Sequence, residues 1–435
     1  AMGQLVEKRT FVSQKKINAF DNTTFCTAYL SDGTMYTMRD IAISDLRNID
    51  HIVFNPTGSS LAVLRQKKPV AIFSFRDRNK KLFELKEKRK GLKEKPLALA
   101  MCYGSDARNF IVSNSLGEIV VYDTKEYLPQ AYIQGDAPAT SLALSSNNYF
   151  IASAVGKEVV IWNFQTREKR KSIPMPAVVK EVAFSPDASL LAVTTDDKRL
   201  TIIDTKNWDK VDIFDKLGGM LTSPSFHPEG KYVSVVRDNK DIIIVNLKNS
   251  VVEQELPEAQ IGVMGTRFFK NNQNSEVFLL SNRPYQIVFW DANGLNPFYG
   301  KIMGKEVDAK MNEWVKMMQG ESMEDYAIRV NDETRIKQQQ LFAQEVATAL
   351  AGDRISMDNP FIDGYDASNN MLNIGFKGLP SIGLEVPSNE AGDFKDGKMK
   401  FSNAVYVLND KDEFELAYVE VTNETTNKVY IYDNI

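Results

Sequence analysis

Val120-Val121-Tyr122-Asp123, Val160-Ile161-Trp162-Asn163, Thr201-Ile202-Ile203-Asp204, Ile243-Ile244-Val245-Asn246 and Val288-Phe289-Trp290-Asp291 are apolar runs that close on Asp or Asn. Phe73-Ser74-Phe75-Arg76-Asp77 reads as an earlier copy. From Asp77 onward the gaps between closing residues are 46, 40, 41, 42 and 45. A fixed period of this size marks a chain built from one supersecondary unit used repeatedly.

Each unit opens on a short apolar strand and a turn. The clearest copies are Val53-Phe54-Asn55-Pro56-Thr57-Gly58, Ala183-Phe184-Ser185-Pro186-Asp187-Ala188 and Ser225-Phe226-His227-Pro228-Glu229-Gly230. Pro presets φ for a turn, and Gly two residues later tolerates positive φ. A second apolar strand follows, such as Leu190-Leu191-Ala192-Val193, then a polar hairpin such as Thr195-Asp196-Asp197-Lys198. The third strand carries the closing Asp or Asn, and a more polar fourth strand is expected at the outer edge. Four short strands per unit of about forty residues predict propeller blades. Phe25 to Met38 reads as two strands around the Asp32-Gly33 turn, most of a further, degenerate blade. The expected fold is therefore an all-β propeller of seven blades, with six or eight as alternatives.

The pattern resembles the WD40 family of β-propellers over about residues 50–295. Trp290-Asp291 is the literal Trp-Asp pair, and Trp162-Asn163 is close to it. The Gly-His pair that often opens a family repeat is absent, and His51 and His227 are the only histidines. The resemblance thus implies blades without the family's His-to-Asp network, braced instead by apolar packing between sheets. Bacterial members often look like this. Trp162 and Trp290, which end inner strands, are read as structural. No sialidase-type box is present, since Ser31-Asp32-Gly33 lacks its spacing and its Trp.

The repeat stops at Asp291. Val307, Met311, Trp314, Val315 and Met318 form one helical stripe, with Gly320 as its stop. Ser322 with Asp325 predicts a capped second helix over about 323–351, ending at Gly352, whose polar middle from Asn331 to Gln340 is exposed or broken. Beyond about 355 the chain reads as strands at 371–376, 381–386, 404–408, 414–421 and 428–432, the last three forming a meander. The expected domains are a propeller at 1–300, a helical connector at 301–352 and a small β-rich domain at 353–435.

Charge divides the chain near the same place. Residues 1–300 hold 39 basic and 33 acidic side chains, a net +6; residues 301–435 hold 14 and 24, a net −10, and the two sum to −4. Such asymmetry marks a boundary and favours either mutual attraction or partners of opposite sign. No apolar run approaches the roughly 20 residues that span a bilayer, and no signal peptide is visible. Ala1-Met2-Gly3 has the look of residues added ahead of a native start. If a signal was trimmed there, a bacterial periplasm or envelope is expected; otherwise the cytoplasm is.

Candidate chemistry is sparse. Arg76 to Lys95 holds ten Lys and Arg against Asp77, Glu84, Glu87 and Glu94. Lys86, Lys88, Arg89 and Lys90 are candidate contacts for a partner. Nucleic-acid binding is disfavoured, because aromatics do not interleave beyond Phe83, and Lys-rich outer strands also guard blade edges. Met311, Trp314 and Met318 are candidate partner contacts too, although an amphipathic face more often packs internally. Asp353, Asp358, Asp363 and Asp366, with Asn359, could gather oxygens for a hard cation, but no EF-hand spacing is present and a solvated loop is favoured. Cys26 and Cys102 lack metal spacing and read as buried strand residues. His51 and His227 read as structural, and neither a phosphate loop nor a nucleophile elbow occurs. No catalytic, cofactor or metal residue is assigned.

The expected function is a non-enzymatic scaffold that captures a protein or peptide on propeller loops and a C-terminal docking domain. One alternative is a hydrolase or lyase acting on a glycan or peptide through channel carboxylates and arginines. Another is a component or sensor of a bacterial envelope.

Overall fold

The computed structural model describes residues 5–23, 26–43, 46–75, 80–295, 298–355, 357 and 359–435. Ala1-Met2-Gly3, Phe25, Arg76, Asp77, Arg78 and Asp358 lie outside these. The chain divides into two compact units. Unit one comprises residues 1–245 and 252–295; unit two comprises Asn246–Val251 and residues 296–435.

Unit one is a succession of seven antiparallel sheets. The first has three strands, Ala19–Asn22, Thr27–Ser31 and Thr34–Thr37. The second to sixth each have four strands in chain order. They begin with the strands Ile49–Phe54, Ala98–Tyr103, Ser141–Leu144, Val179–Phe184 and Leu221–Phe226. The seventh joins Thr266–Lys270, Val277–Arg283 and Gln286–Asp291 to Val6–Val12, which pairs along the last of them. The Val6–Val12 strand was not expected from the sequence. The first strands of successive sheets touch one another, so they lie innermost. Apolar cores fill the spaces between sheets, as in Ile161, Val182, Leu191 and Trp208 between the fourth and fifth. Ile17, Tyr29, Phe278, Leu280 and Phe289 join the first sheet to the seventh. Trp162 and Trp290 are buried in such cores, and the Trp290 indole donates to Ser281 Oγ at 3.0 Å. This arrangement is consistent with a propeller.

An inner strand has one edge with no strand partner, and its N–H groups need acceptors. Side chains of the preceding sheet supply several. Asp21 accepts from Phe54 N at 2.7 Å, and Ser141 from Val182 N at 3.3 Å. Glu181 accepts from Ser223 N at 3.1 Å, and Ser223 from Thr266 N at 3.0 Å. Ser225 accepts from Phe268 N at 3.0 Å. Arg267 of the seventh sheet then pairs with Asp21 of the first.

The closing Asp or Asn is a turn cap. Its carboxylate or amide oxygen accepts backbone N–H groups of the next turn: Asp123 from Glu126 and Leu128, Asn163 from Gln165 and Thr166, Asp204 from Lys206, and Asp291 from Asn293. The bond replaces a backbone turn contact. In the second sheet Ser74 holds this place, opposite Ser60 as Asp204 is opposite Leu190. The repeat therefore closes on Ser74 there, and Asp77 falls after it. The opening turns place Gly58 and Gly230 at positive φ, and Ala188 takes the same conformation at φ 64°.

Unit two has a shared core. Helices α1 (Tyr299–Trp314), α2 (Met323–Arg329) and α3 (Asp332–Arg354) precede most of its strands. Tyr299, Met303 and Val307 of α1 and Val346, Ala347 and Leu350 of α3 pack with Leu372, Ile374, Leu384, Val419 and Val421 from two three-stranded sheets. Helix α1 stops at Trp314, earlier than Gly320. The expected second helix is two, because Asn331 begins a new one: its side chain accepts from Thr334 N while Thr334 Oγ accepts from Asn331 N. This capping box satisfies N–H groups that a continuing helix would not leave free. Asp363 and Asp366 lie on a strand, Phe361–Asp366, and not in a loop. No group of three potential metal ligands occurs among the described residues. Asp412 accepts from Tyr299 N and Gly300 N, capping α1, and pairs with Lys248.

Two stability outcomes follow from these contacts. Asp21→Ala leaves the Phe54 N–H without its acceptor and Arg267 without its partner, and should cost about 3 kcal/mol in urea unfolding. Asp21→Asn, which keeps an acceptor, should cost about half as much; equal losses would show that Phe54 contributes nothing. The second outcome concerns His227, buried in the turn of the sixth sheet, whose Nδ1 accepts from Glu229 N at 3.1 Å. Burial lowers its pKa to about 4. The unfolded chain therefore binds the extra proton first, so stability falls as pH drops from about 6.5 to about 4 and levels off below, by about 3 kcal/mol in all. His227→Asn, with the residue used at Asn55, should flatten that limb of the Tm profile. An unchanged limb would assign the acid loss elsewhere.

Candidate functional site

Antiparallel order fixes which connections share a rim of unit one. Connections from second to third strands, and from each fourth strand to the next sheet, emerge at one rim; the remaining turns emerge at the other. Large apolar side chains are exposed mainly on the first. They are Leu92, Leu97, Val178, Ile261, Met264 and Tyr285, with Ile261 at 72% exposure. The opposite rim exposes Leu128 and Tyr149. Exposed apolar side chains on the loops of one rim offer surface to a partner.

These loops are held in place. Asn282 accepts from Met264 N at 2.8 Å and donates to the Gly262 carbonyl. Arg283, which ends the second strand of the seventh sheet, bonds Glu7, Glu258 and Gln286. Arg237 at the same place in the sixth sheet bonds Asp241, Glu255 and the Leu217 carbonyl. Arg65 does likewise in the second, to Glu84 and the Pro69 carbonyl. The third sheet has Asn114 there, too short for this task. Arg89 arrives instead from the connection before that sheet.

Arg89 sits between two carboxylates. Its guanidinium bonds both oxygens of Glu118, at 2.7 and 2.8 Å, and both of Glu87, at 2.9 and 3.0 Å. It also lies 3.8 Å from the Tyr132 ring centre. Hydrogen bonds from Arg89 lower the pKa of both Glu87 and Glu118. Of the four basic residues singled out in this run, Arg89 is therefore occupied within the protein. Lys86, Lys88 and Lys90 are exposed.

The inner strands bring several polar side chains around a common space. Asp21 and Arg267 are paired. His51 keeps exposed surface, yet burial among neighbouring atoms is the main cause that lowers its pKa. Burial raises Glu181 and pushes Cys102 up to about 11. The charge of Arg267 reaches both His51 and Cys102. Cys26 and Cys102 are both free thiols.

In unit two the three apolar candidates do not make one stripe. Met311 packs against the core, Trp314 ends α1 half-buried, and Met318 lies beyond the helix at 58% exposure. Arg329 organises the segment between, donating to the Trp314 and Lys316 carbonyls and to Glu321. A separate cleft of about 740 Å³ in this unit is lined by Lys248, Asn249, Tyr299, Asp410, Lys411 and Glu413, among others.

No family model matches the chain. A rat protein, Echinoderm microtubule-associated protein-like 2 (Rattus norvegicus), is 27% identical over 154 residues. That stretch covers 34% of this chain and 23% of the relative, so most of the relative has no counterpart in the match. The likeness and the repeated sheets together suggest a WD40-like repeat family. No helix among the described residues is long and apolar enough to cross a membrane.

The Arg89 clamp gives a measurable outcome. Arg89→Ala leaves two carboxylates facing each other and should destabilise by about 2 kcal/mol at pH 7. Glu87 and Glu118 are held ionised by Arg89, so this contribution is present above their ordinary range and fades as pH falls through their lowered values. The Tm difference between wild type and variant should therefore shrink below about pH 4. A difference that persists unchanged in acid would assign it to lost packing on Tyr132.

Proposed function

We propose that unit one is a closed, seven-bladed WD40-like propeller that serves as a non-enzymatic capture surface for a protein or peptide. Unit two, on this reading, adds a second docking element. The concentration of exposed apolar residues on one rim carries the proposal. Those residues sit on loops fixed by Arg237, Arg283 and Asn282, so little order must be gained on binding. The partial likeness to Echinoderm microtubule-associated protein-like 2 supports protein partners in general terms. The commitment of Asp21 and Arg267 to each other, and of Asp21 to Phe54 N, favours a bracing role for them over a reacting one.

Affinity capture from native extract with the full chain, read by mass spectrometry, tests the reading. Wild type should retain a saturable partner. The variant Ile261→Asp, Met264→Asp, Tyr285→Ser should lose it, whereas Leu128→Ser, Tyr149→Ser on the other rim should retain it. A partner held equally by both variants, or none held by wild type, would count against the rim.

A further inference from the structure

We infer that the propeller's rim carries a specific seat for an acidic peptide segment bearing an aliphatic anchor, between the second and third sheets. This deepens the proposed function and rests on it. Two chain segments meet there. One is the turn holding Lys67 and Lys68, between the second and third strands of the second sheet. The other is the connection Leu85 to Leu97, which holds Lys86, Lys88, Lys90, Lys93 and Lys95. All seven lysines are exposed. None forms an ion pair or a side-chain hydrogen bond among the described residues. The acids nearby are already engaged: Glu87 and Glu118 by Arg89, and Glu84 by Arg65. Glu94 is the acid left exposed on the connection.

Edge protection does not account for these lysines. They lie on a turn and a connection, not on the outermost strand, Lys80–Glu84. They are also not on a loose segment. Leu85 N donates to the Val70 carbonyl at 2.8 Å, Ser115 N to the Leu97 carbonyl at 2.8 Å, and Arg89 fastens the middle to Glu118. The positive charge is thus held in position before any partner arrives, which lowers the entropic cost of binding.

An apolar slot lies within this charge. Val70, Leu85, Leu97, Val112 and Val120 line a cleft of about 50 Å³, with Lys67, Lys68 and Lys95 at its border. At roughly 10–15 Å³ for each water-sized group, it takes about four heavy atoms, the size of a leucine or valine side chain. Leu92, Leu97 and Leu99 add exposed apolar surface alongside, each at 39%. A phosphate backbone would use the lysines but not the slot. Bases would need open aromatic faces, and Arg89 already takes one face of Tyr132. Acidic side chains flanking one aliphatic residue use both features.

The test uses the full chain and a fluorescein-labelled fifteen-residue peptide of Asp and Glu with a central Leu, read by anisotropy. Wild type should bind it saturably and more weakly as salt rises. Lys67→Glu, Lys68→Glu, Lys95→Glu should weaken binding by about tenfold or more, a change of at least 1.4 kcal/mol. Lys169→Glu, Arg170→Glu, Lys171→Glu on an outer strand, an equal change of charge, should leave it within about twofold. Replacing the peptide's Leu by Ser should weaken it by about fivefold. Equal binding by both charge variants, or indifference to the Leu, would overturn the inference. So would tighter binding of a single-stranded oligonucleotide lost with the same lysines, or no peptide binding at all. A native partner lost by the Ile261, Met264, Tyr285 variant but kept by the Lys67, Lys68, Lys95 variant overturns this seat and leaves the rim reading standing.

Discussion

Each inner strand of unit one exposes one backbone edge, and everything else in the unit depends on how those edges are satisfied. The answer is a side chain that reaches one repeat ahead. Ser141 serves Val182, Glu181 serves Ser223, and Ser223 and Ser225 serve Thr266 and Phe268. The donors and acceptors are separated by about one period of the sequence, so the bond and the repeat constrain each other. The longest connection of the unit, Leu85 to Leu97, lies after the fourth strand of its sheet. Asp21 has the heaviest duty, since it receives Phe54 from the next sheet and Arg267 from the last. Apolar packing between sheets supplies the bulk of the adhesion, while these polar links fix the rotation of each sheet against its neighbour.

Much of this architecture was legible because the repeat's markers have local physical causes. The closing Asp or Asn is a cap for the turn that follows it, and the residue four positions on adopts positive φ at Tyr127, Arg167, Trp208 and Ser250. A turn made by a side chain needs no glycine there, which is why the marker survives while the Trp does not. The copy in the second sheet misled for the same reason. Ser74 also can cap a turn but carries no visible signature, and Asp77 three residues later has one. Val6–Val12 was invisible as part of the seventh sheet because its partner strand lies about 280 residues away, and only folding brings them together. In unit two the helix stripe failed at a boundary. Tyr299, Met303 and Val307 continue the spacing of Met311 backwards, not forwards to Met318, and nothing local to Val315 announces the stop.

The candidate site was less legible than the fold. A basic run reads as one feature in sequence, yet Arg89 and its neighbouring lysines do different things. Arg89 occupies the position that Arg237 and Arg283 fill from within their own sheets, compensating for the short Asn114. The replacement comes from a different chain segment, so no local sequence pattern marks it. The partners of the lysines are equally hidden, since Lys67 and Lys68 belong to a turn some twenty residues upstream. Apolar residues such as Ile261 and Met264 within a polar connection did carry a signal. Their sequence neighbours are Gly262 and Gly265, which cannot bury them, and they lack the alternation of a strand.

Unit two shows how one repeat marker takes on a second task. The turn Asn246–Val251 groups with it by compactness. Asn246 Oδ1 accepts from Lys248 N, as the other markers do for their turns. Its amide also donates to the Tyr299 hydroxyl at 2.9 Å, and Asn249 donates to the same oxygen at 3.1 Å. The Asn246 amide thus serves the turn through its oxygen and Tyr299 through its nitrogen. Gly378 approaches the same segment so closely that a Cβ would lie 2.5 Å from the Asn249 carbonyl oxygen, at a φ of +86° that side chains resist. Lys248 completes the arrangement through Asp412, which itself caps α1. A six-residue turn thereby fixes the start of the first helix, and through it the core on which both C-terminal sheets pack.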